Sequence, residues 1–78
     1  MVAPFFVAIL EVKQMVKING ELFDVAGISV KKYLLDGGYD LMRVAVELNG
    51  IIIPKSQYQN TYLSDDDCVE VVSFVGGG

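Results

Sequence analysis

Residues 43–53 read RVAVELNGIII, and this run contains the two features that decide the fold. Apolar residues alternate with others over residues 44–48, which places them on one side of a strand, because successive side chains of a strand point to opposite faces. Asn49 and Gly50 follow, and this pair suits a two-residue turn in which both residues have positive φ. The run therefore predicts a β-hairpin whose second strand lies in residues 51–53.

A second Asn-Gly pair lies upstream, at Asn19 and Gly20. Before it, residues 16–18 alternate apolar and polar side chains, and after it residues 21–25 (ELFDV) form another strand-like run. The same turn chemistry applies here, because asparagine and glycine tolerate positive φ at least cost. The N-terminal part of the domain is therefore predicted to be a second hairpin.

A short helix is predicted between the two hairpins. Ser29 is placed to cap it, since a serine oxygen can accept a hydrogen bond from an otherwise unpaired backbone N–H. Val30, Tyr33 and Leu34 then recur on one helical face, and the glycines at residues 37–38 end the helix.

The last predicted strand, residues 68–75 (CVEVVSFV), has apolar residues on both faces. One face would hold Val69, Val71, Ser73 and Val75. The other would hold Glu70, Val72 and Phe74, and Cys68 is interpreted as a small buried hydrophobe. An innermost strand would explain two apolar faces, but one helix can cover only one face of so small a sheet. Burial of Val72 and Phe74 and their use as a partner-binding patch both stay open.

The predicted order is hairpin, helix, hairpin, irregular turn and final strand. This order indicates an α+β fold of the β-grasp (ubiquitin-like) type, with a mixed sheet of four or five strands around one main helix. Residues 15–75 form this domain, and residues 76–78 form a flexible glycine tail. Residues 1–14 are an extra strand, a partner-binding arm or, as favoured here, residues ahead of a natural start at Met15.

Composition excludes several classes of function. Ten acidic and six basic residues give a formal net charge of −4, which opposes binding to nucleic acid. The apolar run at residues 2–10 is about half the length that spans a bilayer, so no membrane association is predicted. The chain has no histidine and only one cysteine, so no metal site and no catalytic pair is predicted.

The C-terminus offers one group on which chemistry can be done. Gly76, Gly77 and Gly78 have no side chains, so the tail could enter a narrow cleft of another protein. The terminal carboxylate of Gly78 is unreactive until a partner activates it with ATP. A merely frayed glycine end is the alternative.

These residues resemble the ThiS sulfur carriers of thiazole synthesis, within the ubiquitin-like β-grasp superfamily. The resemblance covers about residues 15–78. It is carried by residues 15–21 (MVKINGE), by residues 43–50 (RVAVELNG) with residues 53–56 (IPKS), and by residues 69–71 with residues 74–78 (FVGGG).

The resemblance implies a cytoplasmic protein that is not itself an enzyme and binds no cofactor. A partner adenylating enzyme, similar to ubiquitin-activating enzymes, would use ATP-Mg to join AMP to the carboxylate of Gly78. Sulfur from a cysteine desulfurase or another sulfur donor would displace AMP to leave a thiocarboxylate, which delivers sulfur to thiazole synthase. Gly76 and Gly77 would enter the partner active sites, and the expected partner-binding residues are Val72, Phe74 and Ile51.

Three alternatives remain open. The small subunit of molybdopterin synthase resembles this fold and also ends in Gly-Gly, and a carrier for tRNA thiolation would use the same chemistry. A non-catalytic ubiquitin-like interaction module belongs to a different class, in which the glycines have no chemical role.

Overall fold

A computed structural model describes residues 15–74, which form five strands and one α-helix. In chain order these are β1 (Val16–Ile18), β2 (Glu21–Phe23), α1 (Val30–Asp36), β3 (Val44–Leu48), β4 (Ile51–Ile52) and β5 (Cys68–Ser73). Two single 3₁₀ turns lie at Leu41–Arg43 and Lys55–Gln57. The predicted extension at residues 1–14 and the predicted tail at residues 76–78 lie outside this range, so both boundaries stay predictions.

The strands form one mixed sheet in the order β2-β1-β5-β3-β4. β1 and β5 are parallel, whereas the other neighbouring pairs are antiparallel. The prediction of a mixed sheet with one main helix is therefore confirmed, and the sheet has five strands. The last strand, β5, lies at its centre.

Both predicted Asn-Gly turns are present. Asn19 and Gly20 have φ of 51° and 87°, and Asn49 and Gly50 have φ of 52° and 86°. Positive φ at both central residues matches the right-handed twist of the flanking strands. These turns fix the register of the two hairpins, so that Ile18 pairs with Glu21 and Leu48 pairs with Ile51.

The helix begins where the sequence predicts. The Ser29 Oγ accepts a hydrogen bond from the Lys32 N–H at 3.1 Å, and the helix ends at Gly37, as expected for a serine cap and a glycine stop. Two further N–H groups of the first turn donate to the loop that precedes β5: Val30 to the Thr61 carbonyl and Lys31 to the Tyr58 carbonyl. The helix start and this loop therefore hold each other in place.

The core lies between α1 and one face of the sheet. In the described part of the chain it is formed by ten buried residues: Val16, Ile18, Val30, Leu34, Val44, Val46, Tyr58, Leu63, Val69 and Val71. Within residues 15–74, no helix is long and apolar enough to cross a membrane.

The interpretation of Cys68 as a buried hydrophobe is wrong, because its side chain is exposed. The cause is its parity in β5: Cys68 pairs with the exposed Lys17, whereas its neighbour Val69 points into the core. β3 also begins at Val44, because Arg43 belongs to the preceding 3₁₀ turn.

Candidate docking surface next to the C-terminal segment

The face of the sheet away from α1 has no covering element within residues 15–74. Residues paired in register project from the same face, so this open face can be traced from strand to strand. Its pairs are Lys17 with Leu22, Lys17 with Cys68, Glu47 with Ile52, Glu47 with Glu70, and Ala45 with Val72. Phe74 continues the same alternation one step beyond β5.

Large apolar side chains are exposed on one part of this face. Val72 is 54% exposed, Phe74 56% and Ile52 63%, and Ala45 lies beside Val72 on the neighbouring strand. We call these four residues the apolar patch. Contiguous exposed apolar side chains on a small domain typically mark a surface that another protein covers. The structure thus settles the burial of Val72 and Phe74: both are on the surface.

Two like charges lie directly opposite each other beside the apolar patch. Glu47 on β3 and Glu70 on β5 are register partners on the open face. In the described part of the chain neither makes a salt bridge, since the two salt bridges found there join Lys32 to Asp36 and Arg43 to Asp40. Like charges at directly opposite positions are destabilising. A cation supplied by another molecule would relieve this repulsion.

The chain is held firmly up to the start of the terminal segment. The Phe74 N–H donates to the Arg43 carbonyl at 2.7 Å, which extends the β3·β5 pairing beyond Ser73. On the other side of β5, the Asn19 amide bonds both backbone groups of Val71, at 2.8 Å and 3.2 Å. Four residues follow Phe74, and four residues can span at most about 14 Å. The predicted site residues Gly76, Gly77 and Gly78 are among them and lie outside the described residues.

The three predicted partner-binding residues do not share one face. Val72 and Phe74 lie together, but Ile51 pairs with Leu48 and so projects from the helix side of the edge strand, where it is exposed. Ile52, the next residue along β4, lies on the open face instead, and the partner-binding role of all three residues stays a prediction. The signal was present in the sequence, because a two-residue turn pairs its flanking residues and thereby gives Ile51 the face of Leu48.

The described residues show no arrangement for metal binding. Within residues 15–74 there is no group of three or more His, Cys, Asp or Glu side chains that could hold an ion. Cys68 lies on the open face with Lys17, at the end of β5 far from Phe74 along the strand. The acidic turn at residues 65–67 has a structural role, because the Asp67 carboxylate accepts hydrogen bonds from the Ser64 N–H and the Asn49 side chain.

A sequence model described as the ThiS family matches residues 16–78. Among individual proteins, the chain is 42% identical over 64 residues to the "Uncharacterized protein ycf40" of Pyropia yezoensis, covering 81% of this chain and 90% of that protein. It is 44% identical over 62 residues to the thiazole synthase of Paramagnetospirillum magneticum, covering 78% of this chain but 19% of that protein. The thiazole synthase of Magnetococcus marinus is 36% identical, with 81% of this chain and 20% of that protein covered.

The fold also matches a solved structure. The crystal structure of the thiamine biosynthesis protein ThiS from Geobacter metallireducens superposes with a TM-score of 0.69 at 29% sequence identity. The match covers 82% of this chain and 99% of that one.

Proposed function

The chain belongs to the ThiS family, and from that premise we propose that it is a sulfur carrier of thiamine biosynthesis whose working group is the terminal carboxylate of Gly78. The observation that carries the proposal is the extent of the family match, which covers residues 16–78 and so includes the terminal glycines. A module that used only its folded surface would not require the terminal residues to match.

The proposed cycle has two steps at Gly78. A partner adenylating enzyme joins AMP from ATP-Mg to the carboxylate with release of pyrophosphate, which turns an unreactive group into a good acylating agent. In the second step the persulfide sulfur supplied by a cysteine desulfurase or another donor displaces AMP, and a thiol then reduces the resulting acyl disulfide, which leaves a thiocarboxylate and a disulfide. Gly76 and Gly77 provide a narrow lead into each active site, because no Cβ obstructs close approach. ATP-Mg is bound by the partner, and the carrier itself serves as a protein substrate.

Thiazole synthase is the proposed acceptor of the sulfur. In the two thiazole synthases named above, the region similar to this chain makes up about a fifth of the protein. A carrier-like segment and the remainder thus occur in one polypeptide there. This arrangement supports the proposal that the present chain passes its sulfur to a thiazole synthase.

The open face supports the docking step of the proposal. The apolar patch lies at the base of the terminal segment, so a partner that covers Val72 and Phe74 can hold its active site within the reach of four residues. Glu47 and Glu70 beside it favour a partner surface that combines apolar side chains with at least one lysine or arginine. Complementary charge would raise the association rate as well as select the partner.

The test is an intact-mass measurement on the reconstituted reaction. The purified chain is incubated with the adenylating enzyme, ATP-Mg and a sulfur donor, and its mass is recorded before and after. We expect a gain that corresponds to replacement of one oxygen by sulfur. The gain should be lost when Gly78 is deleted, and also when an untrimmed residue is added after it.

A matched control distinguishes the effect of changing the terminal residues from the effect of an unrelated surface substitution. Tyr62→Ser removes an exposed aromatic side chain away from the strands and leaves the terminal residues intact, so this variant should be charged like the parent chain. An unchanged mass with an adenylating enzyme that charges another carrier would refute the carrier function. That result would favour a ubiquitin-like interaction module instead.

A further inference from the structure

A cavity of about 330 Å³ lies on the helix side of the sheet, away from the open face. It opens between α1, the 3₁₀ turn at Leu41–Arg43 and the segment that begins with the 3₁₀ turn at Lys55–Gln57. Its volume is at the lower end of the range of small-molecule pockets. The function proposed above makes no use of it.

Three apolar or aromatic side chains line the cavity. Tyr58 is only 3% exposed and closes one side, Leu41 is half-buried, and Met42 is exposed at the rim. An aromatic ring and two flexible or branched aliphatic side chains can enclose a flat or irregular apolar group. Burial raises the pKa of the Tyr58 phenol, which therefore stays uncharged at neutral pH.

The polar part of the cavity is positively charged in an otherwise acidic chain. Lys31 and Lys55 both line it, together with the neutral Ser56 and Gln59. The Lys55 ammonium donates to the Val44 carbonyl at 2.7 Å and lies 5.9 Å from the centre of the Tyr58 ring, so its position is fixed. Within residues 15–74 neither lysine forms a salt bridge. The two salt bridges found there join Asp36 to Lys32 and Asp40 to Arg43.

Backbone hydrogen bonds hold the cavity in shape. The Lys31 N–H donates to the Tyr58 carbonyl at 3.0 Å, and the Tyr58 N–H donates to the Lys55 carbonyl at 3.1 Å. Further along, the Leu63 N–H donates to the Ile28 carbonyl at 2.8 Å. The helix and the wall opposite it are therefore connected before any ligand arrives. A preformed site loses little conformational entropy on binding.

We propose that this cavity binds an organic anion, in which one carboxylate or phosphate is joined to an apolar or aromatic body. The anionic group meets the ammonium groups of Lys31 and Lys55, and the body packs on Leu41, Met42 and Tyr58. Both parts contribute to binding, since an inorganic anion leaves the apolar side chains in contact with water and an uncharged ligand makes no charge-assisted hydrogen bond to the two ammonium groups. The proposal does not depend on the tail or on the sulfur carrier function.

The test is a titration of the isotope-labelled chain followed by nuclear magnetic resonance of its amide groups. Benzoate and phenyl phosphate are the probes, benzyl alcohol and inorganic phosphate are the matched controls, and ionic strength is held constant. We expect saturable shifts around residues 31, 41–42 and 55–59 with the two probes, and binding at least about fivefold weaker with both controls. A blocked Phe-Glu dipeptide distinguishes the two possible sources of the anion. Binding tighter than that of benzoate would indicate a segment of a protein, and weaker binding would indicate a free small molecule.

Two neighbouring lysines provide the matched variants. Lys31→Gln removes a cavity cation and should weaken benzoate binding about fivefold, whereas Lys31→Arg should retain binding. Lys32→Gln makes the same charge change one residue away, on a side chain that pairs with Asp36 at 3.0 Å, and should leave binding unchanged. The proposal is overturned by the absence of saturable shifts, by equal effects of Lys31→Gln and Lys32→Gln, or by benzyl alcohol binding as tightly as benzoate.

Discussion

Asn19 and Asn49 each serve a turn and a distant strand at once. Both adopt the positive φ that a two-residue hairpin requires. The Asn19 side chain also pairs with both backbone groups of Val71, and the Asn49 side chain accepts from the Cys68 N–H at 2.9 Å. The amide of Asn19 thereby continues the β1·β5 ladder where the β1 backbone turns away. Two local turn residues thus anchor the central strand that leads to the terminal segment.

Asn19→Gly should destabilise the fold without disturbing the turn. Glycine tolerates the positive φ, so the change removes only the side-chain amide and leaves the Val71 N–H and carbonyl without their partner. Loss of such a part-buried pairing costs about 1–3 kcal/mol. Urea unfolding monitored by circular dichroism measures this cost as a lower midpoint at unchanged slope.

Asn19→Asp is the graded control for this prediction. It keeps an oxygen that accepts from the Val71 N–H but loses the donor to the Val71 carbonyl, so its midpoint should lie between those of the parent and Asn19→Gly. If Asn19→Gly were as stable as the parent, the amide would contribute nothing to the fold.

Phe74→Ser should impair charging by the adenylating enzyme and leave the fold intact. Phe74 is more than half exposed, so truncation removes little core contact, but in a docked complex it would remove a central aromatic contact. Truncation of such an anchor costs about 1–2 kcal/mol of binding, or roughly 5- to 30-fold in KM.

The same kinetic measurement on Tyr62→Ser provides the comparison, because Tyr62 is similarly exposed at 61% but pairs with Ser29 at the start of α1. Equal KM values for the two variants would show that the apolar patch is not the docking surface.

At the scale of elements, the pairing of β3 with β5 buries apolar side chains on one face and places two like charges opposite each other on the other face. The inward residues Val44, Val46, Val69 and Val71 are buried against α1. On the opposite side of the same two strands, Glu47 faces Glu70. The sequence shows the alternation of each strand, but the register between strands brings the two carboxylates together. A repulsive pair on an open surface is consistent with a surface that is completed by a basic partner.

Glu70→Lys should change stability and partner association in opposite directions. The free protein should gain about 0.2–1 kcal/mol at low salt, because a like-charge pair becomes an opposite-charge pair. The rate of association with the adenylating enzyme should fall, because the open face loses the negative charge that steers a basic surface. Urea unfolding and stopped-flow binding measure the two effects.

Glu70→Gln removes the repulsion without adding a cation and should give intermediate values of both quantities. High salt should reduce all of these differences. A Glu70→Lys variant that binds faster than the parent would contradict the assignment of a basic partner surface.

At the scale of the whole molecule, the ionisation of two tyrosines makes the stability of the fold depend on pH in the alkaline range. Burial raises the pKa of Tyr58 above the ordinary 10.0, and burial followed by the neighbouring Tyr39 raises the pKa of Tyr33. In the unfolded chain both phenols lose their protons first. The folded state therefore binds more protons than the unfolded state above pH 10, and its stability falls as pH rises through that range.

Tyr58→Phe should weaken this alkaline dependence. The variant cannot ionise at the buried position, so its urea midpoint should decline less steeply above pH 10 than that of the parent. Tyr62→Phe changes an exposed phenol and serves as the control. If the urea midpoints of the parent and Tyr58→Phe declined equally above pH 10, burial of this phenol would not contribute to the loss of stability at alkaline pH.

The sequence alone determined the elements and their order. Two Asn-Gly pairs, a serine cap and alternating apolar residues act over a few positions, so local chemistry fixes both hairpins, the helix and the last strand. The terminal glycines needed only their chemistry and a family resemblance to be singled out.

Tertiary structure alone decided which face each side chain serves. The exposure of Cys68 and the facing of Ile51 depend on the register with β1 and β3, which the separate segments do not contain. The pairing of Glu47 with Glu70 and the cavity between Lys31 and Lys55 likewise join residues far apart in the chain. A period of two tells which residues share a face, but only packing against the helix decides which face is buried.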